Sequence, residues 1–150
     1  MRQWLYTLFI ISTLFWVHTL VVLPIYNYRD GTTKNVSAQV LQQPYVDGDN
    51  LVVQWSGDIV RSCPVTLRRH IIDSSGYVHT LQPASFPANS PSELGQTTFP
   101  VHVVTPQNLP EGESIYRVIE YPVCNYLQQF FPVGVPYPDV VFEVILSEKP

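Results

Sequence analysis

Charge is scarce in this sequence. Asp, Glu, Lys and Arg make up 13% of its 150 residues, about half the usual share. Low charge does not suit a disordered chain, which needs high net charge and few aromatics; aromatics here reach 13%. Basic residues are the rarer sign, 8 against 12, for a net charge of −4. Setting aside residues 1–30 removes Arg2, Arg29 and Asp30 and leaves six basic and eleven acidic residues, or −5. A domain of that sign repels phosphate backbones, so no nucleic-acid partner is expected. Cysteine is limited to Cys63 and Cys124, with no second Cys or His beside either, a poor basis for zinc. Catalytic motifs are missing too: there is no Gly-x-Ser-x-Gly, no His-Glu-x-x-His and no phosphate-cradling glycine loop. The carboxylates are scattered among turns, and nothing proposes a nucleophile with its base. The expectation from these absences is a protein that is not an enzyme and uses no cofactor.

What the sequence has in quantity is apolar length at its start. Trp4 to Ile25 is a run of 22 residues without a formal charge, roughly 33 Å as a helix, enough for a hydrocarbon core of about 30 Å. Trp4 and Tyr6 stand near one end and Tyr26 and Tyr28 near the other, where headgroup interfaces favour aromatics. A cleaved signal peptide would have a shorter core and a small-x-small site; VVLPIYNYRDG offers none. A buried core helix would carry an amphipathic stripe, and this segment is apolar all round. The expected organisation is therefore a cytoplasmic N-terminus at 1–3, a transmembrane signal anchor at 4–26, a linker at 27–35 and a β-sandwich ectodomain at 36–150. His18 lies within the apolar run, as a neutral hydrogen-bonded imidazole or as a proton-relay or partner contact.

Beyond the linker, strand-like runs recur between turn signals. They fall at 36–41, 51–55, 65–72, 77–81, 97–104, 115–121 and 140–146, with Asp73-Ser74-Ser75-Gly76 as a hairpin turn and Asp47-Gly48-Asp49-Asn50 as another. Thirteen of the fourteen prolines follow Pro24, and proline belongs to turns and strand edges. Seven short strands at this spacing predict an all-β fold, a seven-stranded β-sandwich. Beyond an anchor, two cysteines on predicted strands are expected to pair as Cys63–Cys124. That pairing sets the orientation. Positive charge flanks both ends of the anchor and discriminates little, whereas a disulfide needs an oxidising compartment, periplasmic or extracellular.

Asn50-Leu-Val-Val-Gln-Trp55 ends a strand on tryptophan, and Leu109-Pro110-Glu-Gly112-Glu-Ser-Ile-Tyr116-Arg-Val118 puts Leu, Pro and Gly before a Tyr-x-Val strand. Together they resemble strands B and F of fibronectin type III and related immunoglobulin-like domains. The resemblance implies that Trp55 fills the core and that the Tyr116 hydroxyl ties back to the preceding loop as a tyrosine corner. Separately, Arg61-Ser-Cys63-Pro64 and Cys124-Asn125-x-Leu127-Gln128 look similar to short, uncharacterised membrane proteins of tailed bacteriophages.

Several residues are candidate sites. The segment Asn125 to Asp139 carries Tyr126, Phe130, Phe131 and Tyr137 among three prolines. Aromatics held by proline make rigid contact surfaces, so this loop is a candidate protein-partner site. Its alternatives are to plug the sandwich or to lie on lipid. Arg68 and His70, in the only basic cluster with Arg61 and Arg69, are a candidate anion contact. Arg69 shares a face with Leu67 and Ile71 and would need an acid such as Glu120 if that face is buried, or would snorkel at an edge. His70 and His79 would face each other if the hairpin turns on Ser74-Ser75, a weak metal pair. Asn35-Val36-Ser37 matches a glycosylation sequon. The leading functional expectation is a single-pass membrane protein whose ectodomain is an interaction or scaffolding module. A phage envelope or lysis factor and a carbohydrate- or ligand-binding module are the alternatives.

Overall fold

The computed structural model describes residues 2–22, 31–46, 50–88 and 94–145. Tyr26, Tyr28, the first part of the linker and the Asp47-Gly48-Asp49 turn lie outside them. The apolar run forms α1 (Arg2–Val17), which continues as a π-helical stretch over His18–Val22. Gln3–Val22, 20 residues of mean hydropathy 1.9, is long and apolar enough to cross a membrane. Its three threonines donate back along the helix, Thr7 to the Gln3 carbonyl at 3.0 Å, Thr13 to Phe9 at 2.8 Å and Thr19 to Phe15 at 2.9 Å. Each hydroxyl is thus satisfied within the segment, which is what a hydrocarbon environment demands.

The remaining elements are strands, with one short helix. They are β1 (Thr33–Val40), β2 (Tyr45–Val46), β3 (Leu51–Ile59), β4 (Val65–Ile72), β5 (Val78–Thr80), β6 (Ala84–Phe86), β7 (Gly95–Val103), β8 (Gly112–Pro122), α2 (Tyr126–Phe130), β9 (Val135–Pro136) and β10 (Val140–Ile145). One sheet runs β1-β3-β7; the other runs β2-β10-β8-β4-β5, with β6 beside β4 and β9 beside β8. Pairings are antiparallel except β2 with β10, which is parallel. The protein is thus mostly β, in two sheets behind one apolar helix.

Alternation sets the inner faces, because successive side chains in a strand point to opposite sides. Leu51, Val53 and Trp55 of β3 are buried, as are Tyr116 and Val118 of β8 and Val140, Phe142 and Val144 of β10. Tyr45 meets Phe142 edge-on, with ring centroids 5.8 Å apart. Pro100 sits inside β7, and β7 is an edge strand, where a missing N–H leaves no ladder bond unmade.

The strand count differs from the expected seven. β2, β6 and β9 are two or three residues each, too short to leave a readable period. β1 begins at Thr33, inside the expected linker, because Gly31 and Thr32 are already buried. The hairpin is also one residue out of the expected register: His70 pairs Thr80, and Ile71 pairs His79. The Asp73 carboxylate causes this. It accepts from the Ser75 N–H at 2.9 Å, the Ser75 hydroxyl at 2.6 Å and the Tyr77 N–H at 3.0 Å, wrapping the turn around itself. Gly76 supplies the left-handed residue, at φ 85°.

Candidate functional site

Three features meet at one end of the two sheets, where β1 starts, β3 ends and β7 starts. The first is the disulfide. Cys63, just before β4, and Cys124, just after β8, are bonded with Cα atoms 5.0 Å apart, 61 residues apart in sequence. Loop closure of that size is worth roughly 4 kcal/mol in the chain-entropy account.

The second feature is the segment after Cys124. Asn125 caps α2 by accepting from the Gln128 N–H at 3.0 Å. The buried Gln128 side chain accepts in turn from the Cys124 N–H at 2.6 Å, and the Phe131 N–H closes the helix on the Leu127 carbonyl at 2.8 Å. This small helix is therefore fastened to the disulfide, and it presents Phe130 and Phe131 outward, each 72% exposed. The plug alternative does not hold for these two rings. Tyr137 behaves differently. It is half-buried, its ring lies 5.4 Å from that of Trp55, and its hydroxyl is directed at Thr33 Oγ1, 3.4 Å away. Burial, then the nearby Glu120 charge, push its phenol upward. The four aromatics do not make one surface: two are exposed and one belongs to the interior. Tyr126 lies in α2, and its side chain falls outside the described residues.

The third feature was not legible in the sequence. A cavity of about 450 Å³ opens between the sheets at this end. Its walls are the inner faces of both sheets, including Trp55, Leu67, Phe86, Phe99 and Val101. The fully buried core lies toward the other end, around Leu51, Val53, Val103 and Val144. Near the disulfide the facing side chains stay partly exposed, Phe99 at 39%, and do not fill the gap. No single strand reports such a gap, since it is a property of two faces that fail to meet.

Arg69 lines this cavity with Arg61. Arg69 is on the inner face of β4, as its alternation with Leu67 and Ile71 requires, but Glu120 is not its partner. Its Nε donates to the Gln82 carbonyl at 3.1 Å, and its positive charge favours the ionised form of the Tyr116 phenol. Tyr116 is 1% exposed and Trp55 6%, with rings 6.5 Å apart. Burial raises the Tyr116 phenol above its ordinary range, opposed by the arginine. Glu120, fully buried on β8, instead takes both the backbone N–H of Thr32, at 2.9 Å, and the Thr32 hydroxyl. A Cβ at Gly31 would press on Glu120 Oε2, so a side chain there would displace this carboxylate.

Arg68 and His70 face away from the cavity. Arg68 stands over the Tyr121 ring, 4.7 Å from its centroid, and His70 Nδ1 is 3.4 Å from Thr80 Oγ1. Arg117, opposite His70 on β8, is held by Asp139 through two bonds of 2.9 and 2.7 Å. The pair lies on one face without converging on a common point. His79 and His70 are not opposite each other; His79 Nε2 lies 2.8 Å from Asp73 Oδ2. The Ser75 hydroxyl above all, then His79, hold the Asp73 carboxyl down to about 2. Asn35 is exposed at an irregularity in β1, with φ 52° and its amide donating to Asp58 at 2.7 Å.

No protein-family model and no curated protein matches the sequence. Among solved structures, the chain is similar to Pseudomonas fluorescens alkylpurine DNA glycosylase AlkC bound to DNA containing an abasic site analog, with a TM-score of 0.42 and 14% identity over 76% of this chain and 30% of that one. That neighbour is an enzyme, which stands against the expectation that this chain is not one. The expectation rested on missing motifs, which speak only to the chemistries those motifs serve. At this TM-score and identity the likeness carries no argument about fold or reaction.

Proposed function

We propose that the chain is a single-pass membrane protein whose disulfide-bonded sandwich works outside the cytoplasm as an interaction module, holding a protein partner through Phe130 and Phe131. In this reading residues 4–26 are an uncleaved signal anchor with the N-terminus cytoplasmic. The Cys63–Cys124 bond supports that orientation, since such bonds persist in oxidising compartments. The strand order supports an immunoglobulin-like sandwich: β1-β3-β7 would stand for A-B-E and β10-β8-β4 for G-F-C. One observation carries the functional reading. Two adjacent phenylalanines, the last residue of α2 and its C-cap, are each 72% exposed on a helix tied to the disulfide through Cys124 and Gln128. Rigid aromatic area costs little entropy on binding, and exposed apolar clusters mark interaction surfaces.

The test uses the full-length protein in its native membrane, crosslinked and purified. Phe130→Ser with Phe131→Ser should leave the melting temperature unchanged, because exposed substitutions move stability by about ±0.5 kcal/mol. The same variant should lose its crosslinked partner. A variant that melts early and keeps its partner overturns the reading. The cavity favours a second reading, a ligand-binding module, since its volume falls within the roughly 300–1,000 Å³ of small-molecule pockets.

A further inference from the structure

We propose that the cavity between the sheets binds the acyl chain of an anionic amphiphile, whose headgroup is met by Arg61 and Arg69. The inference rests on the membrane-anchor reading of the helix and is independent of the Phe130–Phe131 partner surface.

Three observations carry it. The first is that the cavity is apolar where two sheets should be packed. Leu67 of β4, Phe86 of β6 and Phe99 and Val101 of β7 turn toward it without closing it. Unfilled apolar surface loses both burial and dispersion contacts, and an apolar chain entering between the sheets restores them. The second is charge. Arg61 and Arg69 are among the lining residues, and no Asp or Glu is. The buried Glu120 is not itself a lining residue; it is bonded to Thr32 and lies beside Tyr137 at the cavity's edge. A cavity with apolar walls and only positive charge selects a ligand with an apolar body and an anionic group.

The third observation is reach. Thr32 and Thr33 line the cavity, and the apolar helix extends to Val22. Eight intervening residues before Gly31 can span no more than about 3.6 Å each when fully extended. The cavity is therefore held within roughly 35 Å of the helix end, close to a bilayer that supplies such amphiphiles. The shared chemistry is one acyl chain with an anionic head, available either as a free fatty acid or as a bilayer phospholipid.

The experiment places the full-length protein in nanodiscs of phosphatidylcholine. In separate arms they carry diazirine-tagged palmitate, diazirine-tagged phosphatidylglycerol or a neutral diazirine-tagged monoacylglycerol. After irradiation, labelled peptides should map to β4, β6 and β7, and excess unlabelled probe should compete the label away. Whichever of the two anionic probes labels the cavity identifies the source. Ala84→Trp and, separately, Thr97→Trp put an indole at the cavity wall. Each should cut cavity labelling at least tenfold, and at least one should keep the wild-type melting temperature. Label confined to the helix and Phe130–Phe131 overturns the proposal while leaving the partner surface untouched. Equal labelling by the neutral probe overturns it as well, because the arginines would then select nothing. Loss of the protein partner on substitution of Phe130 and Phe131, with cavity labelling intact, would separate the two sites.

Discussion

Glu120 sits on the inner face of β8 among apolar side chains, and its Oε1 receives two donors from Thr32. Remove the carboxylate and the Thr32 N–H stays buried without a partner, at a cost of about 1–3 kcal/mol. Glu120→Ala should lower stability by that amount in denaturant titration, and Thr32→Val, which deletes only the hydroxyl, by less. Equal and negligible effects would show that the contact contributes nothing. The sequence offers Glu120 as a possible partner for Arg69 and offers no hint of Thr32, 88 positions away. Such a choice depends on how strands stack across the gap, and strand alternation reports only which face a side chain is on. Trp55 and Tyr116 are easier to read, because Trp55 closes and Tyr116 opens an alternating run whose buried side is unambiguous.

At the scale of elements, the long strands β3, β4, β8 and β10 are legible because each spans several periods of alternation. The short β2, β6 and β9 are not, since two or three residues cannot establish a period. The segment from Asn125 to Asp139 reads as one aromatic-rich loop, yet it divides into a capped helix, a strand and an inward-pointing tyrosine. The disulfide joins this helix to the start of β4. Cys63→Ser or Cys124→Ser should therefore cost roughly 2–5 kcal/mol, measured as a lowered thermal midpoint. The loss should be accompanied by faster hydrogen exchange in 125–131, because Cys124 N–H is itself one of the bonds that fixes α2. Exchange unchanged in that segment would mean that the Asn125 cap and Gln128 hold it unaided.

For the whole molecule, the apolar helix and the β-rich remainder are the two parts that the sequence divides most plainly, by an abrupt change of composition near residue 30. The proposed topology is directly testable. Alkaline carbonate should leave the protein in the membrane pellet, and protease added outside the cytoplasm should remove the sandwich. A mature N-terminus beginning near residues 25–35 would instead identify a cleaved signal. The junction between the two parts also has a mechanical meaning. The chain does not hang from a loose strand end: Gly31 and Thr32 are tucked against Glu120, four residues before Cys124. A pull between the membrane and anything gripped by Phe130 and Phe131 would run from Thr32 through Glu120 and the end of β8 to the crosslinked cysteine and α2. That route is a few residues long and bypasses most of both sheets. Tension along the tether would then be shared at Thr32 between Glu120 of β8 and the Val60 and Arg61 N–H groups just past β3.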